Sequence, residues 1–227
     1  MPFRDLGERV REVRDRVAAA AARGGHGQSV TIVAVTKTHG PDAVQAAWDA
    51  GLRDVGENRV QEAVSKMPSV EAPVRWHLIG HLQRNKVKFV DRFHLTHSID
   101  SARLADAVQA HGAATGRTVD VLVQVNVSGE SSKGGFSLAD IGRESKRLGT
   151  LDAIRVRGAM TMAPFDSDER ELRRVFAGAR EARGMLAAAG HPATELSMGM
   201  SNDFEVAVEE GATLVRLGTV LFGARST

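Results

Sequence analysis

The sequence contains no cysteine and no tyrosine. Without cysteine the chain has no disulfide bonds, iron–sulfur clusters, thiolate zinc sites or catalytic thiol. Without tyrosine it lacks one of the common acid/base catalysts. No apolar run approaches the roughly 20 residues that span a bilayer, and the charged start of the chain lacks the apolar core of a signal peptide. These absences predict a soluble, cytoplasmic protein with no membrane contact.

An excess of one charge is also missing, because 30 basic residues face 28 acidic ones. The resulting net charge of +2 gives little support for nucleic-acid binding. The H-E-x-x-H, P-loop and G-x-G-x-x-G patterns are absent as well. His77 and His81 are four residues apart, but no carboxylate stands at a recognisable ligand spacing from them, so we predict no metal site.

Short apolar segments alternate with helical ones along almost the whole chain. We predict eight strands, at residues 31–37, 54–58, 74–80, 94–100, 119–127, 156–162, 195–201 and 214–223. Seven helices separate them, and one extra helix at residues 5–23 precedes the first strand. This alternation gives parallel βαβ units, and eight units favour a closed (β/α)₈ TIM barrel of the α/β class. An open doubly wound sheet is the alternative fold.

No linker or change of composition divides the chain, so we predict one domain over residues 1–227. No helix is predicted after the eighth strand, although a complete barrel of this kind has one there. We expect the extra helix at residues 5–23 to cover that place in the outer layer of the barrel.

The polar residues at strand ends are the candidate functional residues, since barrel sites form where the carboxyl ends of the strands meet. The first strand delivers Lys37, whose side chain has the parity of Val33 and Val35 and so begins on an apolar face. Burial lowers the pKa of a lysine and makes a nucleophilic amine available near neutral pH. A lysine whose tip reaches water at the barrel mouth explains the position equally well.

Two further strand ends suggest an anion site. Ser201 supplies a hydroxyl at the end of the seventh strand, and Gly218 and Thr219 lie in the eighth. Barrels often bind phosphate in the loops after these two strands. A lysine and a phosphate site on one face fit pyridoxal 5′-phosphate held as a Schiff base. For each residue taken alone, a helix cap at Ser201 and a packing glycine at Gly218 are the simpler interpretations.

Six stretches, in chain order and spread over most of the sequence, carry a family resemblance: AVTK (34–37), GENRVQE (56–62), WHLIGHLQRNK (76–86), SKGGF (132–136), RGAMTM (157–162) and LSMGMSNDFEVAVEEGATLVRLGTVLFGAR (196–225). In these stretches the chain resembles the pyridoxal phosphate homeostasis proteins, which are single-domain relatives of the alanine racemase N-terminal barrel. The resemblance implies a (β/α)₈ barrel that binds pyridoxal 5′-phosphate covalently. It also implies a role in balancing the free vitamin B6 and amino-acid pools of the cell.

The resemblance assigns roles to individual residues. It implies that Lys37 is the Schiff-base lysine and that Arg216 faces the pyridine nitrogen of the cofactor. It implies phosphate contacts at Ser201, Gly218 and Thr219, partly through backbone N–H groups. Two further positions complete this comparison: Asn58, which would lie near the cofactor ring, and His81, which stands where the family often has proline and therefore receives no role.

Arg216 has a chemical consequence under this resemblance. A guanidinium only donates hydrogen bonds, so it would leave the ring nitrogen unprotonated and weaken the ring as an electron sink. The racemase relatives pair their lysine with a tyrosine from a second domain, whereas this sequence has no tyrosine and predicts no second domain. We therefore expect a monomeric carrier that binds the cofactor, without efficient turnover, and delivers it to apo pyridoxal phosphate enzymes.

Two alternatives stay open. A pyridoxal phosphate-dependent amino-acid racemase, or a related enzyme, would use the same lysine and the same phosphate site. A phosphate-binding barrel without pyridoxal phosphate would use Lys37 as an aldolase-type Schiff-base lysine on a sugar phosphate.

Overall fold

Eight parallel strands form a closed barrel in the computed structural model, which describes residues 3–130 and 134–223. The strands, β1 to β8, are Thr31–Val35, Asp54–Glu57, Arg75–Leu78, Leu95–Ile99, Val119–Gln124, Ile154–Met160, Glu195–Ser197 and Leu214–Leu217. Each strand pairs with its neighbours in chain order, and β1 pairs with β8. The predicted (β/α)₈ fold is confirmed, and the open sheet is wrong.

Helices surround the barrel between the strands. In the described part of the chain, α1 to α8 are Leu6–Gly24, Pro41–Asp49, Val60–Lys66, Ala102–Thr115, Leu138–Leu148, Glu169–Ala188, Phe204–Glu209 and Thr219–Phe222, and 3-10 helices span Met67–Ser69 and Arg84–Arg92. Polar side chains cap the amino-terminal ends of two of the longer helices, α5 and α6. Ser137 Oγ accepts from the Asp140 N–H at 3.2 Å, and Asp168 Oδ1 accepts from the Glu171 N–H at 2.8 Å. None of these helices is both long and apolar enough to cross a bilayer.

The extra amino-terminal helix lies where we expected it. Helix α1 packs against α7 and α8, the helices on either side of β8. Its apolar stripe, which includes Leu6, Val10, Val13 and Val17, is buried there. Burial of such a stripe is the main source of helix stability in a folded protein.

The prediction that no helix follows the eighth strand is wrong. The strand predicted at residues 214–223 ends at Leu217, and the four-residue helix α8 follows it. The break falls at Gly218, whose φ of −115° and ψ of −81° lie outside the range of a strand. The predicted strand at 31–37 likewise ends early, at Val35, so Lys37 lies in the turn beyond it.

Two apolar layers hold the barrel together. One lies between the sheet and the helices, and the other fills the barrel with Val33, Val35, Ile79, Leu95, Leu122, Met160 and Leu214. Polar side chains share the interior with this second layer. His77, His97, Ser197 and Arg216 are each at most 4% exposed, so they need hydrogen-bond partners inside the barrel.

Gly158 lets β5 and β6 pair through a bulge. The register between the two strands shifts between Val121 and Leu122, so β6 carries an extra residue at that point. Gly158 has a φ of 152°, and a Cβ there would lie 1.8 Å from the carbonyl oxygen of Glu195. The bulge sets the parity of the residues that follow, so that Met160 packs inside the barrel.

Candidate functional site

The carboxyl ends of β1, β2 and β8 place three predicted site residues side by side. The register pairs Val35 with Gly56 on one side of β1, so Lys37 and Asn58 follow at the same level. On the other side, a Cβ built on Gly218 would lie 3.6 Å from the Cβ of Val35. Lys37, which is half-buried, therefore lies between the ends of β2 and β8.

Ser201 joins this group through the loop after β7. Its Oγ accepts hydrogen bonds from the backbone N–H groups of Gly218 and Val220, each at 3.3 Å. The intervening Thr219 is exposed. Two backbone donors thus converge on one hydroxyl oxygen at the mouth of the barrel. Such converging N–H groups are the usual means by which proteins bind a phosphate or another anion.

Arg216 lies inside the barrel, two residues before Gly218. It donates from Nη1 to Ser197 Oγ at 2.6 Å and from Nη2 to the Thr161 carbonyl oxygen at 2.9 Å. Burial lowers the pKa of Arg216 to about 10, and the charge of Asp203 opposes this shift. The guanidinium therefore remains a cation at neutral pH, and it has five N–H donors in all.

A buried ion pair supports the strand that leads to Lys37. Glu57 Oε1 accepts from Thr36 Oγ1 and from Lys66 Nζ, both at 2.6 Å, and Lys66 Nζ also donates to the Thr36 carbonyl at 3.0 Å. Burial raises the pKa of Glu57, against the hydrogen bonds from Lys66 and Thr36. Side chain and backbone of Thr36 are both held, so the residue before Lys37 is fixed.

The residue after Lys37 is held as well. Thr38 has a φ of 68°, in the left-handed region that β-branched residues rarely adopt. Its N–H donates to Glu62 Oε1 at 2.6 Å, which offsets part of the backbone strain. Lys37 is therefore carried on a short turn whose two ends are fixed by hydrogen bonds. Strained backbone of this type is concentrated at functional sites in proteins.

Most of the predicted site residues lie together at this end of the barrel. The two histidines for which we predicted no metal site do not lie together. His77 lies inside the barrel, and His81 is exposed and 3.0 Å from Asp100. Among residues 3–130 and 134–223, no group of three or more His, Asp or Glu side chains could hold a metal ion. The SKGGF motif (132–136) begins outside the described residues.

Acidification is expected to remove stability that Asp54 supplies. Burial would raise the pKa of Asp54, but hydrogen bonds and charges from His77 and Arg75 outweigh it and lower the pKa to about 2. The folded state therefore holds this proton less tightly than the unfolded chain does. Stability from Asp54, about 2 kcal/mol, is present above pH 4 and is lost as the pH falls towards 2.

Urea unfolding at several pH values between 5 and 2.5 tests this expectation. The free energy of unfolding of wild type should fall more steeply with decreasing pH than that of Asp54→Asn, which has no carboxylate to protonate. Asp49→Asn, at an exposed position of α2, is the matched control and should keep the wild-type slope. Equal slopes in wild type and Asp54→Asn would contradict the prediction.

Comparisons with known proteins show which family and which solved structures the chain resembles. The family model described as "Alanine racemase, N-terminal domain" matches residues 10–226. The pyridoxal phosphate homeostasis protein of Aquifex aeolicus is 39% identical over 222 residues, which are 96% of this chain and 97% of that relative.

Two solved structures are similar over nearly their whole length. A protein of unknown function from Bifidobacterium adolescentis has a TM-score of 0.91 and 38% identity, over 97% of this chain and 95% of that one. PipY of Synechococcus elongatus, solved with pyridoxal phosphate bound, has a TM-score of 0.84 and 37% identity, over 96% of this chain and 100% of that one.

Proposed function

Because the chain belongs to the pyridoxal phosphate homeostasis protein family, we propose that it binds pyridoxal 5′-phosphate as a Schiff base on Lys37 and serves vitamin B6 homeostasis. One observation carries the proposal: the N–H groups of Gly218 and Val220 converge on Ser201 Oγ beside the turn that carries Lys37. An amine and an anion site lie together at the same end of the barrel. The PLP-bound structure of PipY supports the same ligand.

The donor set at this end of the barrel fits the ligand. Lys37 supplies an amine, the N–H groups of Gly218 and Val220 supply two backbone donors, and Arg216 supplies a guanidinium. All of these groups carry protons to donate, and a phosphate ester offers only acceptors at its terminal oxygens. Asn58 adds an amide at the level of Lys37. The residues present therefore match a phosphorylated aldehyde in both charge and hydrogen bonding.

The side chains have separate tasks in the proposed site. When bound, the cofactor would supply an aldehyde, and Lys37 is the residue that would hold it as a Schiff base, with release of one water molecule. Thr36 and Thr38 hold the turn of Lys37. Ser201 Oγ and the two backbone N–H groups take the phosphate. Arg216 has no hydrogen-bond acceptor to offer, so it would donate to the ring nitrogen and leave that atom unprotonated.

An absorbance titration followed by chemical trapping tests the proposal. Added pyridoxal 5′-phosphate should produce the absorbance band of a Schiff base, and borohydride should then fix one pyridoxyl group on the peptide that contains Lys37. A label spread over the exposed lysines, with no defined band, would remove the chemical basis of the proposed function.

A racemase is the second candidate, because the matching family model describes the alanine racemase N-terminal domain. The chain contains no tyrosine, so it lacks the second acid/base residue of the racemase mechanism. NMR of amino acids in deuterated water separates the two functions. A carrier should leave the α-hydrogen in place, whereas rapid exchange that depends on Lys37 would establish an enzyme.

Delivery to apo enzymes, a monomeric state and a cytoplasmic location stay predictions.

Removal of the Ser201 hydroxyl is expected to weaken the phosphate site. In Ser201→Ala the side chain can no longer contact the phosphate or hold the Gly218 and Val220 N–H groups in register. Loss of a hydrogen bond to a charged group is expected to raise the Kd for pyridoxal 5′-phosphate about tenfold, or about 1.4 kcal/mol.

Equilibrium dialysis with pyridoxal 5′-phosphate and with inorganic phosphate checks this expectation. Both ligands should bind more weakly to Ser201→Ala, since both would use the same donors. Ser65→Ala, an exposed serine of α3, is the matched control and should bind both ligands as wild type does. An unchanged Kd in Ser201→Ala would show that the phosphate lies elsewhere.

A further inference from the structure

A continuous line of buried polar side chains crosses the barrel interior and ends at Arg216. His77 Nε2 lies 2.9 Å from Asp54 Oδ1, and His77 Nδ1 lies 2.9 Å from His97 Nε2. His97 Nδ1 lies 2.9 Å from Ser197 Oγ, to which Arg216 Nη1 donates at 2.6 Å. Each of the five residues is at most 4% exposed. They belong to β2, β3, β4, β7 and β8, so the line links distant parts of the barrel wall.

The residues at the two ends of this line determine which atom donates and which atom accepts in every hydrogen bond between them. Arg216 can only donate, so Ser197 Oγ accepts from it and must give its own proton to another acceptor. Among the described residues, His97 Nδ1 is the acceptor within reach of that hydroxyl. A neutral His97 then carries its proton on Nε2.

The hydrogen bonds between His97 and Asp54 have the same direction. The Nε2–H of His97 donates to His77 Nδ1, so a neutral His77 also carries its proton on Nε2 and donates it to Asp54. Asp54 is a fixed acceptor, because its two oxygens also receive hydrogen bonds from Arg75 at 2.7 and 2.6 Å. All the donors in the line therefore point in one direction, from Arg216 to Asp54.

We propose that Asp54, His77, His97 and Ser197 form a directional hydrogen-bond relay that positions Arg216 for the cofactor ring. The part played by Arg216 rests on the proposed function, whereas the direction of the relay does not. Together with the Thr161 carbonyl, Ser197 holds two nitrogens of the guanidinium in place. A guanidinium fixed in this way loses less freedom when it donates to a ligand.

Burial favours the neutral form of the relay. The pKa of His97 is well below its usual value, first because the ring is fully buried and then because positive charge beside it, on Arg216 or on a protonated neighbouring histidine, would repel a second proton. His77, the ring of this line that contacts a carboxylate, faces Asp54, His94 and His97, and Arg75 lies behind Asp54.

An extra proton on His77 would reverse the direction of the hydrogen bonds from His77 to Ser197. His77 Nδ1–H would donate to His97, and His97 would turn its own proton towards Ser197 Oγ. Ser197 would then receive two donors and have no acceptor for its hydroxyl proton among the described residues. A buried hydroxyl without an acceptor is unfavourable, so the structure favours the direction from Arg216 to Asp54.

Nitrogen NMR of the cofactor-free protein tests the direction. Long-range ¹H–¹⁵N spectra of histidine-labelled protein at pH 7 distinguish a protonated ring nitrogen from an unprotonated one. The relay predicts that His77 and His97 are both neutral, with the proton on Nε2 and an unprotonated Nδ1. A proton on Nδ1 of His97, or a doubly protonated His97, would overturn the proposal. This readout uses wild type, so it does not depend on the folding of a variant.

A variant then tests whether the relay acts on Arg216. Ser197→Ala removes the link, so the His97 tautomer should no longer be fixed. The Kd for pyridoxal 5′-phosphate should rise about fivefold, the effect of a typical hydrogen bond, while inorganic phosphate should bind as before. Ser145→Ala, another buried serine, is the control and should change neither readout. A wild-type tautomer and a wild-type Kd in Ser197→Ala would contradict the relay.

The two sets of measurements separate this proposal from the proposed function. If wild type fails to bind pyridoxal 5′-phosphate, the proposed function fails, and the wild-type tautomers still decide whether the relay exists. If wild type binds the cofactor and His97 carries its proton on Nδ1, the relay fails and the proposed function stands.

Discussion

A Lys37→Ala variant is expected to form no Schiff base with pyridoxal 5′-phosphate and to bind it about 100-fold more weakly, or about 2.8 kcal/mol. The variant keeps the backbone donors of Gly218 and Val220 and the guanidinium of Arg216. Noncovalent contacts therefore remain, and only the amine is lost. Absorbance titration measures the Schiff base, and equilibrium dialysis measures the residual binding.

The matched control for this variant is Lys88→Ala. Lys88 is exposed on the 3-10 helix Arg84–Arg92 and has no part in the candidate site. It should give the wild-type absorbance band and the wild-type Kd. The absorbance band could persist in Lys37→Ala, with borohydride fixing the label on another lysine. That result would show that Lys37 does not form the Schiff base. In that case the turn between Thr36 and Thr38 would need a different explanation.

A Glu57→Ala variant is expected to lose about 3–5 kcal/mol of the free energy of unfolding. Lys66, only 6% exposed, would lose the carboxylate that lies 2.6 Å away and keep, as a charged partner, only the partly exposed Glu62, at 3.6 Å. Thr36 Oγ1 would lose its acceptor at the same time. For a chain of this length the melting temperature should fall by roughly 10 °C. Thermal and urea unfolding, followed by circular dichroism, measure both quantities.

A double variant separates the loss of the ion pair from the loss of packing. Replacing both charges with apolar residues of similar size, Glu57→Leu with Lys66→Met, should restore most of the wild-type stability, because no unpaired charge remains buried. Pyridoxal 5′-phosphate should still bind more weakly than in wild type, since Thr36 loses both the acceptor of its hydroxyl and the side-chain donor to its carbonyl. A double variant as unstable as Glu57→Ala would show that packing, and not the buried charge, decides the effect.

Sequence reasoning identified the strands and the residues at their ends for a clear physical reason. Each buried strand is a short apolar run, and a polar residue such as Lys37 or Ser201 is conspicuous where that run stops. The residues at which the strands end were harder to predict from the sequence. Gly218 extends an apolar pattern in the sequence, yet its backbone angles end β8 and begin a short helix. A hydrophobic pattern does not distinguish a strand from the buried turn that follows it.

The supporting residues could not be found in this way. Glu57 has two partners, Thr36 and Lys66, which lie on different parts of the chain. Nothing in the spacing of the sequence predicts that a lysine of α3 enters the sheet layer. His97 and Ser197 are 100 residues apart, and each alone is an ordinary polar residue within a strand. One signal was available: His77 and Arg216 share the inward parity of Ile79 and Leu214.

The proposed ligand site spans the join between β1 and β8, which limits when a chain under synthesis can bind the ligand. Lys37 and Arg216 are separated by roughly 180 residues of chain, so the contacts across this join are among the most distant in the sequence. During synthesis the nascent chain carries Lys37 long before β8 leaves the ribosome, and the two sides of the site meet only when the sheet closes. Ligand capture by a growing chain is therefore a direct readout of the closing step, and an unfinished barrel is expected to capture none.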